Sequence, residues 1–414
     1  MNLPATRCDV AIVGGGMVGA SLALALQETP LSVVVIEAHL PESSSQPSFD
    51  DRTTALGNGA RRILSTLGVW PQLAATAGAI RSIHVSDAGR FGAARLEASE
   101  HELDAFGYTV RNRDIGAVLW EALRSRGRVE LACPARVLAI ELGGEAVALR
   151  LAPAGGPERA LHARLVVAAD GAHSLVRQAA GIGSSDSDYG QVAVVANLRT
   201  DRPASGIAYE RFSESGPMAL LPLSAGHYTG VWALEPERAQ ALQDCDAREF
   251  CERWQSAFGW RAGRVLGVGR RAGYRLELLR AHELSAPRVA LIGNAAQALH
   301  PVAAQGFNLG LRDAAVLAEL LAGAADAGAA DVLAQFAARR ESDRRGMIGF
   351  TDGLVKLFGD RRAAVIALRT IALMLFDLSP PAKRALARVS FGFGGALPRL
   401  SRGLPLAAMP RPLP

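Results

Sequence analysis

Within its first 37 residues the chain runs through an apolar strand, a glycine turn, a helix, a second apolar strand and an acid. The first strand spans residues 7–13. Gly14-Gly15-Gly16-Met17-Val18-Gly19 then opens a helical run over residues 20–27. After a turn at Pro30, residues 33–36 form the second strand, which ends at Glu37. Gly14, Gly16 and Gly19 allow a tight turn and let a pyrophosphate approach the helix start, while an acid at Glu37 can accept hydrogen bonds from a ribose diol. The order and spacing predict an α/β unit that binds a dinucleotide. Its place at the very N-terminus favours FAD over NAD.

A second constraint lies late, over residues 288–313. Residues 289–292 read as a buried strand, Gly293 and Pro301 break a loop, and a helix starts near Gln305. Gly306 and Gly310 keep the helix start thin, so that a flat ligand can approach its free N–H groups and partial positive charge. An ordinary strand-to-helix turn has the same pattern. Between these two regions, residues 165–171 form an apolar strand ending in Asp170-Gly171. Asp170 stands either at a ligand, where doubly wound sheets bind them, or as a cap on the next helix. Arg52, after a Ser- and Pro-rich loop, suits a phosphate or plain solvent.

The remaining pattern alternates in short runs. Residues 81–108 and 186–270 read as strands of a second, mostly antiparallel sheet inserted into the first domain, interrupted by one helix near residues 247–258. The expected first domain is then discontinuous: 1–80, 109–185 and 271–345. Arg211, Pro222, Tyr209 and Trp232 fall on central strands of the inserted sheet, where they floor a pocket or fill a core. After 345 the chain reads as helices to 397, with Leu373, Leu375 and Phe376 among basic residues, a cap on the core or a surface for a membrane or partner. The Pro-rich tail from Pro398 is expected to be disordered.

Composition excludes several classes. The 414 residues carry a net charge of +5 with no dense Lys/Arg cluster, which argues against nucleic acid. Cys8, Cys133, Cys245 and Cys251 form no C-x-x-C and have no histidine at ligand spacing, so no metal is expected. Scattered thiols suit a reducing compartment. A strand that begins almost at once leaves no room for a signal peptide, and no apolar run reaches spanning length. The expected location is cytoplasmic, with peripheral contact at the inner membrane as the one extension.

Together, the GGGMVG turn with Glu37, Ala168-Ala169-Asp170-Gly171 and the 288–313 stretch resemble the single-component FAD-dependent aromatic hydroxylases of the p-hydroxybenzoate hydroxylase fold. Phe49-Asp50-Asp51-Arg52, Glu210-Arg211-Phe212, Gly216-Pro217, Leu221-Pro222 and residues 256–260 narrow the similarity to the ubiquinone-biosynthesis hydroxylases, of the 2-polyprenyl-6-methoxyphenol type. Most of the wider family has Asp and His where this chain has Asn294 and Gln297, and the Asn-Ala-Ala-Gln version is itself a feature of that type.

The resemblance implies an FAD-binding Rossmann-like domain, an inserted β-sheet substrate domain and a C-terminal helical region. It puts Gly14, Gly16, Gly19 and Glu37 on the ADP half of FAD, and Arg52 and Asn112 near the pyrophosphate and ribityl chain. Asp170 and Gly171 match the second FAD motif. Asn294 would bond the ribityl chain, while Pro301, Gln305, Gly306 and Asn308 would flank the flavin ring. Arg211 and Pro222 would touch substrate. NAD(P)H is implied as a transient reductant, O2 as co-substrate, a polyprenylated phenol as substrate, and a biosynthetic assembly as partner. No acid or base is assigned, and His300 reads as structural.

Overall fold

The structure is a computed structural model that describes residues 7–41, 50, 52–299, 305–360, 362–390 and 397–406. It is α/β, built on two eight-stranded sheets and a small three-stranded one.

The first sheet has a parallel core. Arg7–Val13 lies between Val33–Ile36 and Arg159–Ala168. Glu130–Ala132 extends one side and Val289–Leu291 the other. These strands are buried on both faces and rich in Val, as parallel strands covered by helices must be. The register fixes the consequence. Val13 pairs with both Ile36 and Ala168, and Ala168 pairs with Leu291. Four strands therefore end in one row, and the residues that follow them (Gly14, Glu37, Ala169-Asp170 and Ile292-Gly293) emerge side by side. Three motifs scattered over some 280 residues meet because the strands preceding them stop at one level.

Helix Met17–Leu26 packs against helix Gly306–Ala322 over this sheet. The contact is close because helix Gly306–Ala322 carries a glycine, Gly310, where the other helix presents Val18. A Cβ at Gly310 would lie 2.9 Å from a Val18 methyl and 3.0 Å from the Gly293 Cα. Gly310 thus thins the helix for its neighbour helix, not for a ligand as expected. Gly306, whose added Cβ would meet nothing within 4 Å, keeps the expected open approach.

The second sheet runs Gln297–Ala298, Val265–Ala281, Ser184–Thr200, Tyr228–Leu234, Gly216–Pro222, Ile207–Ser213, Ser82–Asp87, Ala93–Glu97. It is antiparallel except where Ile207–Ser213 runs alongside Ser82–Asp87. Strand Val265–Ala281 pairs with Ser184–Thr200 over nearly its whole length. Residues 271–281 therefore belong to this sheet and not to the nucleotide-binding part. Helix Ala247–Phe258, capped by the Asp246 carboxylate, covers the outer face with Phe250, Trp254 and Phe258. Gln297–Ala298 joins this sheet only six residues after Leu291 leaves the other, so the intervening turn sits at the seam between them.

Two further expectations are corrected. No break occurs at 346: one helix runs Ala330–Gly359, and Gly346, with open space around it, is carried inside. Helices Ala363–Asp377 and Pro380–Ser390 follow. The tail from Pro398 is also ordered as far as it is described. Leu400 and Leu406 are buried in the main core, and Leu400 accepts a hydrogen bond from the Thr66 hydroxyl. Two apolar anchors outweigh the disordering tendency of the prolines around them.

Candidate active site

One cavity of about 1150 Å³ begins at the row of strand ends, passes the start of helix Gly306–Ala322, crosses the inner face of the second sheet and ends beneath the C-terminal helices. Its first part is a backbone cradle. Gly14 has φ +101, and a Cβ there would lie 2.3 Å from the Ala169 carbonyl oxygen. At Gly19 it would lie 2.0 Å from the Gly14 carbonyl oxygen. Gly16 is the extended N-cap of the first helix and lines the cavity. Glu37 is buried and accepts from the Gly15 N–H at 2.7 Å and the His39 N–H at 2.8 Å, which fixes its carboxylate against the turn. Trp120 locks the turn from behind by donating to the Gly15 carbonyl at 2.8 Å. Nothing in the sequence marked Trp120, because its partner is 105 residues away.

Asp170 takes the expected capping role with half of its carboxylate. One carboxylate oxygen accepts from the Leu175 and Val176 N–H groups and caps that short helix, while the other is buried with no partner among the described residues. Burial raises its carboxyl above the ordinary range, against hydrogen bonds that favour the anion. A cradle that rejects any Cβ, beside an unsatisfied buried oxygen, fits a polar ligand such as FAD.

Arg52 and Asn112 converge on Asp50. Arg52 pairs with Asp50 at 2.6 Å and stacks its guanidinium 4.3 Å from the Tyr274 ring centre, and the Tyr274 hydroxyl donates to the same carboxylate. Asn112 donates to Asp50 and accepts from the Thr54 hydroxyl. Tyr274, absent from the sequence expectations, thus orders Arg52 at the cavity wall. Gly171, Asn294, Gln305, Gly306 and Asn308 also line the cavity. Asn308 is occupied, however. Its amide accepts from the Gly57 N–H at 2.9 Å and donates to the Ala55 carbonyl at 2.8 Å, stapling the helix start to strand Thr53–Gly57. Pro301 and His300 lie outside the described residues.

Two expected substrate contacts do not reach the cavity. Ala208, Tyr209, Glu210 and Phe212 line it, whereas Arg211 does not and instead donates to the Ser86 hydroxyl. Pro222 contributes its carbonyl to Thr109 at the joint with the three-stranded sheet, and the preceding Leu221 lines the cavity in its place. Gln297 is buried away from the ligand path. With the Gly293 N–H it is held by Asp313, at 2.7 and 3.1 Å, and Asp313 in turn pairs with buried Arg340 at 2.7 Å.

A parallel sheet with a glycine cradle, joined through one cavity to an antiparallel sheet, suits a flavin-dependent aromatic monooxygenase, the class that comparison with known proteins defines. Residues 7–351 match a family described as the FAD binding domain. The chain is 37% identical to the ubiquinone hydroxylase UbiL of Rhodospirillum rubrum over 96% of its own length and 93% of the relative's. It is 32% identical to the 3-demethoxyubiquinol 3-hydroxylase of Escherichia coli, covering 93% and 98%. In fold it is similar to the p-nitrophenol 4-monooxygenase PnpA of Pseudomonas putida, with a TM-score of 0.80, 21% identity and coverage of 95% and 100%. The chain belongs to the FAD-dependent ubiquinone-biosynthesis hydroxylase family.

Proposed function

We propose that the protein hydroxylates the ring of a 2-polyprenyl-6-methoxyphenol in ubiquinone biosynthesis. The observation that carries this reading is the continuity of the cavity. A polar cradle for FAD leads without a break into an arm lined by Leu221, Phe212, Phe358, Leu373 and Phe376, long and apolar enough for a ring bearing a prenyl tail. Bound FAD supplies the oxygen-transfer chemistry, with NAD(P)H as reductant and O2 as oxidant. The protein's own part is placement and exclusion of water. Gly14, Gly16, Gly19 and Glu37 would hold the adenosine and pyrophosphate side. Arg52, Asn112, Asp170 and Gly171 would follow the chain between, and Asn294, Gln305 and Gly306 would edge the flavin ring. Asn308 acts through the staple that fixes the helix start.

The test is the product. Purified enzyme given a polyprenyl-methoxyphenol, NADPH and ¹⁸O2 should place one labelled atom on the ring. Label-free product, or NADPH oxidation with no product, would overturn the reading. The name of the Escherichia coli relative favours a second ring position, and the regiochemistry of the labelled product separates the two.

Access for such a substrate suggests a bilayer partner. Helix Ala363–Asp377 presents Arg369, Leu373 and Phe376 to the cavity, while Leu368, Ile371 and Leu375 on the same helix, and Leu378 just beyond it, are each more than half exposed. Residues 360–390 hold six basic and two acidic side chains, which complements an anionic surface. Among the described residues no single helix is long and apolar enough to cross a membrane, so the contact proposed is peripheral. The double variant Leu375→Glu with Leu378→Glu should lower co-flotation with anionic vesicles about tenfold or more, since each lost leucine removes about 1.5–3 kcal/mol of apolar burial. Unchanged flotation would remove the bilayer from the account.

A further inference from the structure

We infer that Glu210 is the group that receives the phenolic proton of the substrate. The inference rests on the reading of the protein as a phenol hydroxylase and adds the acid–base residue that reading lacks.

Glu210 sits on strand Ile207–Ser213 of the second sheet and lines the cavity. The cross-strand register puts Val85 on one side of it and Ala219 on the other, with Val231 beyond, and all three line the cavity with it. On this apolar wall Glu210 is the one carboxylate. It makes no hydrogen bond or ion pair among the described residues, although every other acid along the cavity has partners: Glu37 its two backbone N–H groups and Asp170 its helix start. A carboxylate left alone on an apolar surface is costly, and no described residue repays it. A structural role would show a partner, and none is present among the described residues. Burial alone pushes the carboxyl up to about 8, well over halfway from its ordinary range toward that of a phenol. The other ionisable groups lining the cavity do not offset this. Arg369 is tied to Asp87 and to the Leu357 and Phe358 carbonyls, Tyr209 packs its ring against His84, Tyr228 and Phe258, and Arg52, His39 and Arg136 belong to the nucleotide end.

The step balances as follows. As the ring carbon forms its bond to the incoming oxygen, the phenolic O–H bond breaks, its proton passes to the Glu210 carboxylate, and the released electron pair enters the ring. The ring is thereby oxidised by two electrons, with O2 as oxidant and NAD(P)H supplying the remaining reducing equivalents. The proton on the attacked carbon then passes to solvent, aromaticity returns, Glu210 hands its proton back to the original phenolic oxygen, and the second oxygen atom of O2 leaves as water. Because the raised carboxyl must be ionised to begin, activity should climb with pH through about 8.

The experiment compares FAD-loaded wild type with Glu210→Gln and Glu210→Asp, using a short-chain prenyl-methoxyphenol and its O-methyl ether, which has no proton to give. Expected are a loss of about 10²- to 10⁴-fold in kcat/KM for Glu210→Gln, disappearance of the limb near pH 8, and partial recovery in Glu210→Asp. In binding titrations read by perturbation of the oxidised flavin spectrum, wild type should prefer the phenol over the ether increasingly as pH rises, and Glu210→Gln should not. If wild type hydroxylates the phenol and Glu210→Gln keeps both the limb and the preference, Glu210 has no such role. If wild type neither binds nor hydroxylates any phenol, the function proposed above fails and takes this role with it.

Discussion

Replacing Gly14 with alanine is expected to leave the protein without bound flavin. The added carbon would meet three backbone atoms, the Ala169 oxygen and carbon and the Asp170 nitrogen, at 2.3, 2.6 and 2.8 Å. None of these can swing aside as a flexible side chain would. They belong to the end of Arg159–Ala168, whose register with Arg7–Val13 sets the row on which the cradle is built. The backbone angle adds to the difficulty, since φ of +101 is strained for any residue with a Cβ, at roughly 1–2 kcal/mol. The two strand ends must part, and the unpartnered Asp170 oxygen moves with them. Flavin absorbance retained after desalting reads the outcome. Gly144→Ala, at a hairpin where an added Cβ meets nothing within 4 Å, should keep full flavin and serves as control. Full flavin retention in Gly14→Ala would show that the cradle lies elsewhere.

The second large effect is expected from Asp313→Ala. Asp313 gathers the Gly293 N–H, the Gln297 amide and the Arg340 guanidinium on one buried carboxylate. Arg340 also reaches Asp343 at 2.7 Å, which pairs with Arg312 at 2.8 Å. Removing Asp313 leaves Arg340 buried with half its compensation, and breaking such a pair from one side costs about 3–5 kcal/mol. Urea unfolding should show a midpoint shift of that size, and a shift below 1 kcal/mol would deny the cluster any structural weight. The same cluster sets an acid limit. Burial alone would raise the Asp343 carboxyl, but Arg312 and Arg340 outweigh it and hold it below the ordinary range. Its stabilisation is therefore complete above about pH 4, where the unfolded carboxyl is ionised, and fades as pH falls through the depressed folded value.

Much of the cradle was legible because glycine and acid at fixed offsets carry a positional meaning that survives without any long-range information. Amides do not. Asn308 reads the same whether it faces a ligand or, as here, two backbone groups 250 residues away. Glu210 and Arg211 were exchanged for a related reason. A strand's sequence shows that neighbours alternate, but which set faces inward is decided by pairing with Ser82–Asp87, far off in the chain. The boundary expected after residue 345 is crossed by one helix, Ala330–Gly359, in which Gly346 is tolerated at about 1 kcal/mol. The tail from Pro398 looked unstructured by composition, while two leucines were enough to dock it.

The uninterrupted helix Ala330–Gly359 makes the enzyme a gauge as well as a container. One stretch of it carries Arg340, clamped to the base of the helix that starts at the flavin edge of the cavity. Another carries Phe350, Leu354 and Phe358, which wall the distant arm. The spacing between the reacting end and the tail end is thus ruled off on a single stiff rod, at about 1.5 Å per residue. Loops can grow by any amount, but a rod that must keep the same side chains facing inward lengthens only by whole turns, about 5.4 Å each. The reach of this cavity is therefore stepped, and the tail length of the substrate proposed above would change in steps too.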